Sequence, residues 1–169
     1  MLYLDHDRKV FPYPIIPFQV NCYGQNVIGR KGFLYPMGDQ SPLDPPSPSP
    51  RRCFELGAAV ARVCRDSPWR VALVASSSWS HAFMVDKNYH LHPDIPTDRT
   101  LYNAMVKGDY AYWRNFPLSE IISSGGQETL NWFALMGAMN ELGLKCAWSD
   151  FVETWIFNSD KVAAVFAVA

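Results

Sequence analysis

Apolar residues return every third or fourth position from Cys53 through Leu56 and Val60 to Val63, the spacing that gathers side chains on one helix face. Ser49 can cap that helix, Pro50 suits its first turn, and Asp66-Ser67-Pro68 stops it. The pattern then changes. WRVALV (69–74), apolar but for Arg70, predicts a buried strand, so helix and strand together make a unit of the α/β kind. PYPIIPFQVN (12–21) predicts a further strand, restricted to an edge by Pro12, Pro14 and Pro17. Leu101, Ala104 and Met105 mark a helix over 98–107, and short helices are expected over 109–116 and 118–123. A longer helix is predicted over 127–142, with Leu130, Phe133, Ala134, Gly137, Ala138 and Leu142 inward and Gly143 as its stop. Strands at 149–158 and 161–169, which can pair antiparallel, complete the reading: an α/β fold, a mixed sheet flanked by helices.

Between these elements, residues 36–50 contain six prolines and few core formers, which predicts an extended loop within a single domain spanning 1–169. Composition narrows the class further. Hydrophobic residues make up 49% of the 169 positions, enough for a substantial core. Fifteen basic residues against sixteen acidic ones give a net charge of −1, so nothing electrostatic points to nucleic acid or an anionic membrane. No apolar run is long enough for a membrane span, and the N-terminus lacks the apolar core of a signal peptide. Cys22, Cys53, Cys64 and Cys146 are scattered without zinc-ribbon spacing and read as reduced thiols of a cytoplasmic protein.

Polar residues at the end of the 69–76 strand are the feature that asks for chemistry. Ser76, Ser77, Ser78, Ser80 and His81 surround Trp79 where ligands of open α/β sheets sit, beyond the carboxyl end of a strand. A histidine there can work as an acid or base near neutral pH, or be a hydrogen-bonded structural group. A serine nucleophile fits poorly, because S-S-S-W-S-H lacks the G-x-S-x-G turn. Glu128 follows Ser123-Ser124-Gly125-Gly126 at the start of the 127–142 helix. The helix dipole favours an ionised carboxylate there, for metal ligation or for plain end stabilisation. His90 and His92 read as surface histidines, and His6 as part of an exposed turn.

Four stretches together carry a resemblance: YPIIPFQVNCYG (13–24), PPSPSPRRCFELGAAV (45–60), WRVALVASSSWSHAF (69–83) and GGQETLNWFALMGAM (125–139). In order and spacing they resemble the class III extradiol ring-cleavage dioxygenases, the family of the protocatechuate 4,5-dioxygenase β subunit and gallate dioxygenase. The resemblance implies that this chain corresponds to the C-terminal half of such a domain. It implies Fe(II) as cofactor, held by two histidines and one carboxylate, with a catecholic substrate and O2. On that reading His81 is the catalytic acid/base and Glu128 an iron ligand. Ser77, Ser78 and Ser80 line the substrate pocket, and Asn158 and Ser159 add substrate contacts from the C-terminal strand.

The family's two iron-binding histidines lie ahead of the P-I-I-P-type strand. Here His6 is the sole histidine upstream of His81, and its L-D-H-D setting does not match their motifs. The expectation is therefore half of a site. Three readings stay open: one piece of a split enzyme completed by a second polypeptide, a truncated product of a longer gene, or an inactive homologue that binds small aromatics or partners. Half of an α/β domain should also self-associate or depend on a partner chain, because its sheet edge and one apolar face lack cover.

Overall fold

Side-chain chemistry sets the start of the first helix. Ser49 accepts a hydrogen bond from the Arg52 N–H at 3.3 Å, and α1 runs Pro50–Arg65. The computed structural model describes residues 12–23 and 45–168, so His6 and most of the 36–50 loop lie outside the described residues. After α1 come α2 (Ile95–Lys107), α3 (Tyr110–Asn115), α4 (Leu118–Ser123) and α5 (Leu130–Leu142), close to their predicted places. Asp109 caps α3 by accepting the Tyr112 N–H at 3.0 Å. The predicted start of the last helix is instead a 3-10 turn, Gln127–Thr129, so Glu128 precedes α5 rather than lying in its first turn.

Two strands follow, β1 (Leu144–Val152) and β2 (Lys161–Val168), paired antiparallel from Leu144 opposite Val168 to Val152 opposite Lys161. The fold class is α/β, and the sheet among the described residues is this one hairpin. β1 begins five residues before the predicted 149 and stops at Val152, because the Asp160 carboxylate accepts the Thr154 N–H at 2.8 Å and fixes a turn there. Trp155, Ile156 and Phe157, expected inside a strand, are exposed in that turn.

The predicted strands over 12–21 and 69–76 differ more. Both are extended, but among the described residues neither has a backbone partner. An apolar run supplies the side chains of a strand, whereas a ladder needs a neighbour to receive its N–H and C=O groups. Leu73 and Ala75 pack on the core, while Val71 and Val74 are exposed, so the run is only partly buried.

The core forms where α1 crosses α5. A Cβ on Gly57 would stand 1.7 Å from the Ala134 carbonyl oxygen, and one on Gly137 would stand 1.9 Å from that of Phe54. These two glycines let the helix backbones touch. The crossing therefore buries Cys53, Phe54, Gly57 and Ala61 of α1, and the predicted stripe is displaced: Leu56 is partly exposed and Val63 is 72% exposed. Trp79 sits fully buried at the heart of an aromatic cluster, edge-on to Trp113, Trp132 and Phe151 at centroid distances of 6.1, 5.5 and 6.2 Å. Such pairs favour the edge-to-face arrangement. Trp79 thus anchors the polar stretch around it.

Candidate functional site

Anchoring Trp79 brings the next residues onto the Gly-Gly turn ahead of α5. The His81 N–H donates to the Gly125 carbonyl at 2.9 Å. Gly125 has φ +66, and a Cβ there would stand 2.7 Å from the His81 carbonyl oxygen, so both conformation and space require glycine. On its other side His81 pairs with Ser159 as an isolated antiparallel bridge, and the Ala82 N–H donates to the Asn158 carbonyl at 2.6 Å. The Asn158 side-chain oxygen accepts the Phe83 N–H at 3.4 Å. The structure therefore brings His81, Asn158 and Ser159 together at one crossing.

The His81 ring is largely buried, edge-on to Phe83 at 5.5 Å, and its Nδ1 has no partner among the described residues. Burial lowers its pKa below the ordinary histidine value, opposed by the negative charge of Glu128. Backbone carbonyls of Gly125 and Trp79 also oppose the lowering, and a neutral imidazole can take up a proton at its unprotonated ring nitrogen. Lys161, whose ammonium donates to the Ser159 hydroxyl, also favours the neutral form.

Glu128 faces the same region from the 3-10 turn. Its Oε2 accepts the Ser78 N–H at 3.1 Å, and its Oε1 accepts the Tyr23 hydroxyl. Beside it lies a cavity of about 300 Å³ lined by Cys22, Tyr23, Ser76, Ser77, Glu128 and Asn131. The Ser77 hydroxyl is buried without a partner among the described residues. Tyr23 is raised to about 12 by burial and its bond to Glu128, and Cys22 to about 11 by burial and the Glu128 charge. Both keep their protons at neutral pH. A larger, shallower cleft of about 710 Å³, beside Pro96, Tyr112 and Phe116, is lined by none of the candidate residues.

Ser80 is placed differently. It is fully buried, its hydroxyl donates to Asp98 at 2.6 Å and accepts the Asp94 N–H at 2.9 Å, so it holds the segment in place. Ser78 meets Glu128 through its backbone, not through its hydroxyl. Tyr23, Lys161, Asp98 and Asp160 were not singled out by sequence reasoning. Asp160 and Lys161 adjoin Ser159 in the run N-S-D-K, a local signal; Tyr23 and Asp98 meet their partners only through the fold. His90 pairs with Asp86, and the ring of His92 lies 4.7 Å from that of Trp155.

A match to the family described as the catalytic LigB subunit of aromatic ring-opening dioxygenase spans residues 43–166. The chain belongs to this family. Searches of curated proteins and of solved structures found no match. The matched span contains His81, Glu128, Asn158 and Ser159. Dioxygenases of the LigB type generally depend on a metal. Among the described residues, however, no group of three or more His, Cys, Asp or Glu side chains could hold one, and both Glu128 oxygens have protein partners. The described residues therefore do not fit a metal ion by themselves. Among the same residues, no helix is long and apolar enough to cross a membrane.

Proposed function

We propose that this chain supplies the proton-handling wall of an Fe(II)-dependent extradiol dioxygenase site that opens a catecholic ring with O2. The observation that carries the reading is the His81 crossing: a buried imidazole with an unpartnered Nδ1, held by Gly125 on one side and Ser159 on the other. His81 is the acid/base, moving a proton at its ring nitrogen as the ring opens beside the diol. Glu128 would be one of three iron ligands, and the two histidines that complete the set would come from a second polypeptide. Ser77 offers its free hydroxyl to the substrate, Asn158 and Ser159 flank it from the hairpin turn, and Ser78 and Ser80 serve by placing the segment.

Two measurements test this. In the complete, iron-loaded assembly, His81→Ala should reduce ring cleavage by about 100- to 10,000-fold while iron content is retained. Unchanged turnover would remove the assigned role. The chain alone should not retain stoichiometric Fe(II), since it offers one carboxylate where three ligands are needed. Tight iron binding by the isolated chain would overturn the division of ligands. An inactive, binding-only homologue is the second reading, favoured by the Tyr23 and Ser78 contacts that occupy Glu128. It predicts aromatic binding without turnover in any assembly.

A further inference from the structure

Glu128 is the carboxylate proposed for iron, yet within this chain both of its oxygens are already engaged. Oε2 accepts the Ser78 N–H at 3.1 Å, and Oε1 accepts the Tyr23 hydroxyl from 105 positions away. The two donors differ in how firmly they are held. Ser78 adjoins Trp79, which is fully buried in the aromatic cluster, so its N–H is fixed where it stands. Tyr23 ends an extended segment, 12–23, that makes no backbone–backbone hydrogen bond among the described residues. Residues 12–19 of that segment are exposed. Its end comes down on the body through side chains. Val20 packs on the core, Cys22 is 5% exposed and accepts the Asn131 side-chain N–H at 3.7 Å, and the Tyr23 hydroxyl reaches Glu128. The same three residues line the cavity beside Glu128, together with Ser76, Ser77 and Asn131.

We propose that residues 20–23 are a strap fastened by Tyr23, and that the strap and a divalent cation exclude each other at Glu128 Oε1. The exclusion rests on the reading of Glu128 as a metal ligand; the strap does not. A hydroxyl proton and a cation at one carboxylate oxygen are two positive charges at contact range, in a part-buried setting that screens them weakly. A hydrogen bond to an ionised carboxylate is also among the stronger ones, so the closed strap satisfies Glu128 without metal. Of the two donors Tyr23 is the one that can withdraw, because no backbone ladder holds its segment. Released, the strap frees Oε1 and opens the cavity on that side. Such coupling is reciprocal: whatever loosens the strap favours the cation, and a bound cation favours the open strap.

Cys22 reports the strap, since its thiol is buried and adjoins the fastening residue. In the full, metal-free chain, alkylation of Cys22 by iodoacetamide, read by peptide mass spectrometry, should be slow. Tyr23→Phe removes only the hydroxyl and should speed alkylation roughly tenfold or more, and so should Glu128→Ala, at unchanged circular dichroism. The double variant should be no faster than the faster single one, because both substitutions remove one contact. A wild-type rate in Tyr23→Phe, or effects of the two substitutions that multiply, overturns the strap. Should Glu128→Ala not fold, Tyr23→Phe decides alone, since phenylalanine keeps the ring. Mn(II), followed by water-proton relaxation, probes the exclusion on the same proteins. Tyr23→Phe should bind it at least about threefold more tightly than wild type, and adding Glu128→Ala should abolish that gain. Equal affinities, or no binding by either protein, overturn the exclusion. If Glu128→Ala weakens Mn(II) binding while Tyr23→Phe does not strengthen it, the exclusion falls and the ligand reading stands. None of these readouts involves turnover, so unchanged ring cleavage in His81→Ala sinks the catalytic reading alone.

Discussion

Ser80 and Ser78 are near neighbours with opposite duties, and the difference lies in which atom makes the contact. The Ser80 hydroxyl joins Asp98 to the Asp94 N–H inside the core, so removing it leaves the Asp94 N–H without its partner and takes from Asp98 its shortest hydrogen bond. Ser80→Ala should destabilise the chain by about 1–3 kcal/mol, read from urea midpoints. Ser78 holds Glu128 by its N–H, which any residue but proline retains. Ser78→Ala should therefore stay within about 0.5 kcal/mol of wild type in the same measurement. Equal losses would mean that the assignment of duties is wrong. Sequence reading marked both serines because hydroxyls at the end of an apolar run are unusual. It could not separate them, since Asp98 and Glu128 reach them from 18 and 50 positions away.

At the scale of elements, the helices were legible and their contact face was not. Ser49-Pro50, Asp109 and Gly143 are local signals, read within a few residues of the helix ends they set. The spacing predicts a buried stripe through Cys53, Leu56, Val60 and Val63, of which Cys53 is buried and Leu56 and Val63 are exposed. The α1–α5 crossing turns Phe54, Gly57 and Ala61 inward beside Cys53, because closest approach requires Gly57 against Ala134 and Gly137 against Phe54. A single helix sequence does not reveal that a partner backbone will arrive at such range. Gly57→Ala must push the helices apart at a backbone oxygen and should cost about 1–3 kcal/mol by thermal or urea unfolding. An unchanged midpoint would contradict the crossing.

At the scale of the whole molecule, several apolar stretches of the described residues are exposed, two of them next to the candidate site. Trp69 (77% exposed), Val71 and Val74 are exposed on the 69–76 segment, which has no ladder partner among the described residues, and Trp155, Ile156 (89% exposed) and Phe157 form the hairpin turn beside Asn158. An extended segment without a ladder partner, carrying exposed apolar side chains, is prone to pair with another chain. The purified chain should elute above its 19.2 kDa mass and shift with concentration, or require a second polypeptide to stay in solution. A monodisperse monomer at high concentration would count against an uncovered face.

The sequence by itself determined which class of fold the chain builds and marked most helix ends within a few residues, and it singled out His81 and Glu128 as candidates for chemistry. Those features rest on capping, periodicity and short motifs, all local in the chain. Only the tertiary structure decided that the 12–21 and 69–76 runs find no strand partner among the described residues, and that Ser80 turns inward to Asp98. It alone brought Tyr23 onto Glu128. The reason is physical: a hydrogen bond needs its second partner. Each of these partners lies far away along the chain and arrives only when the helices and the hairpin pack.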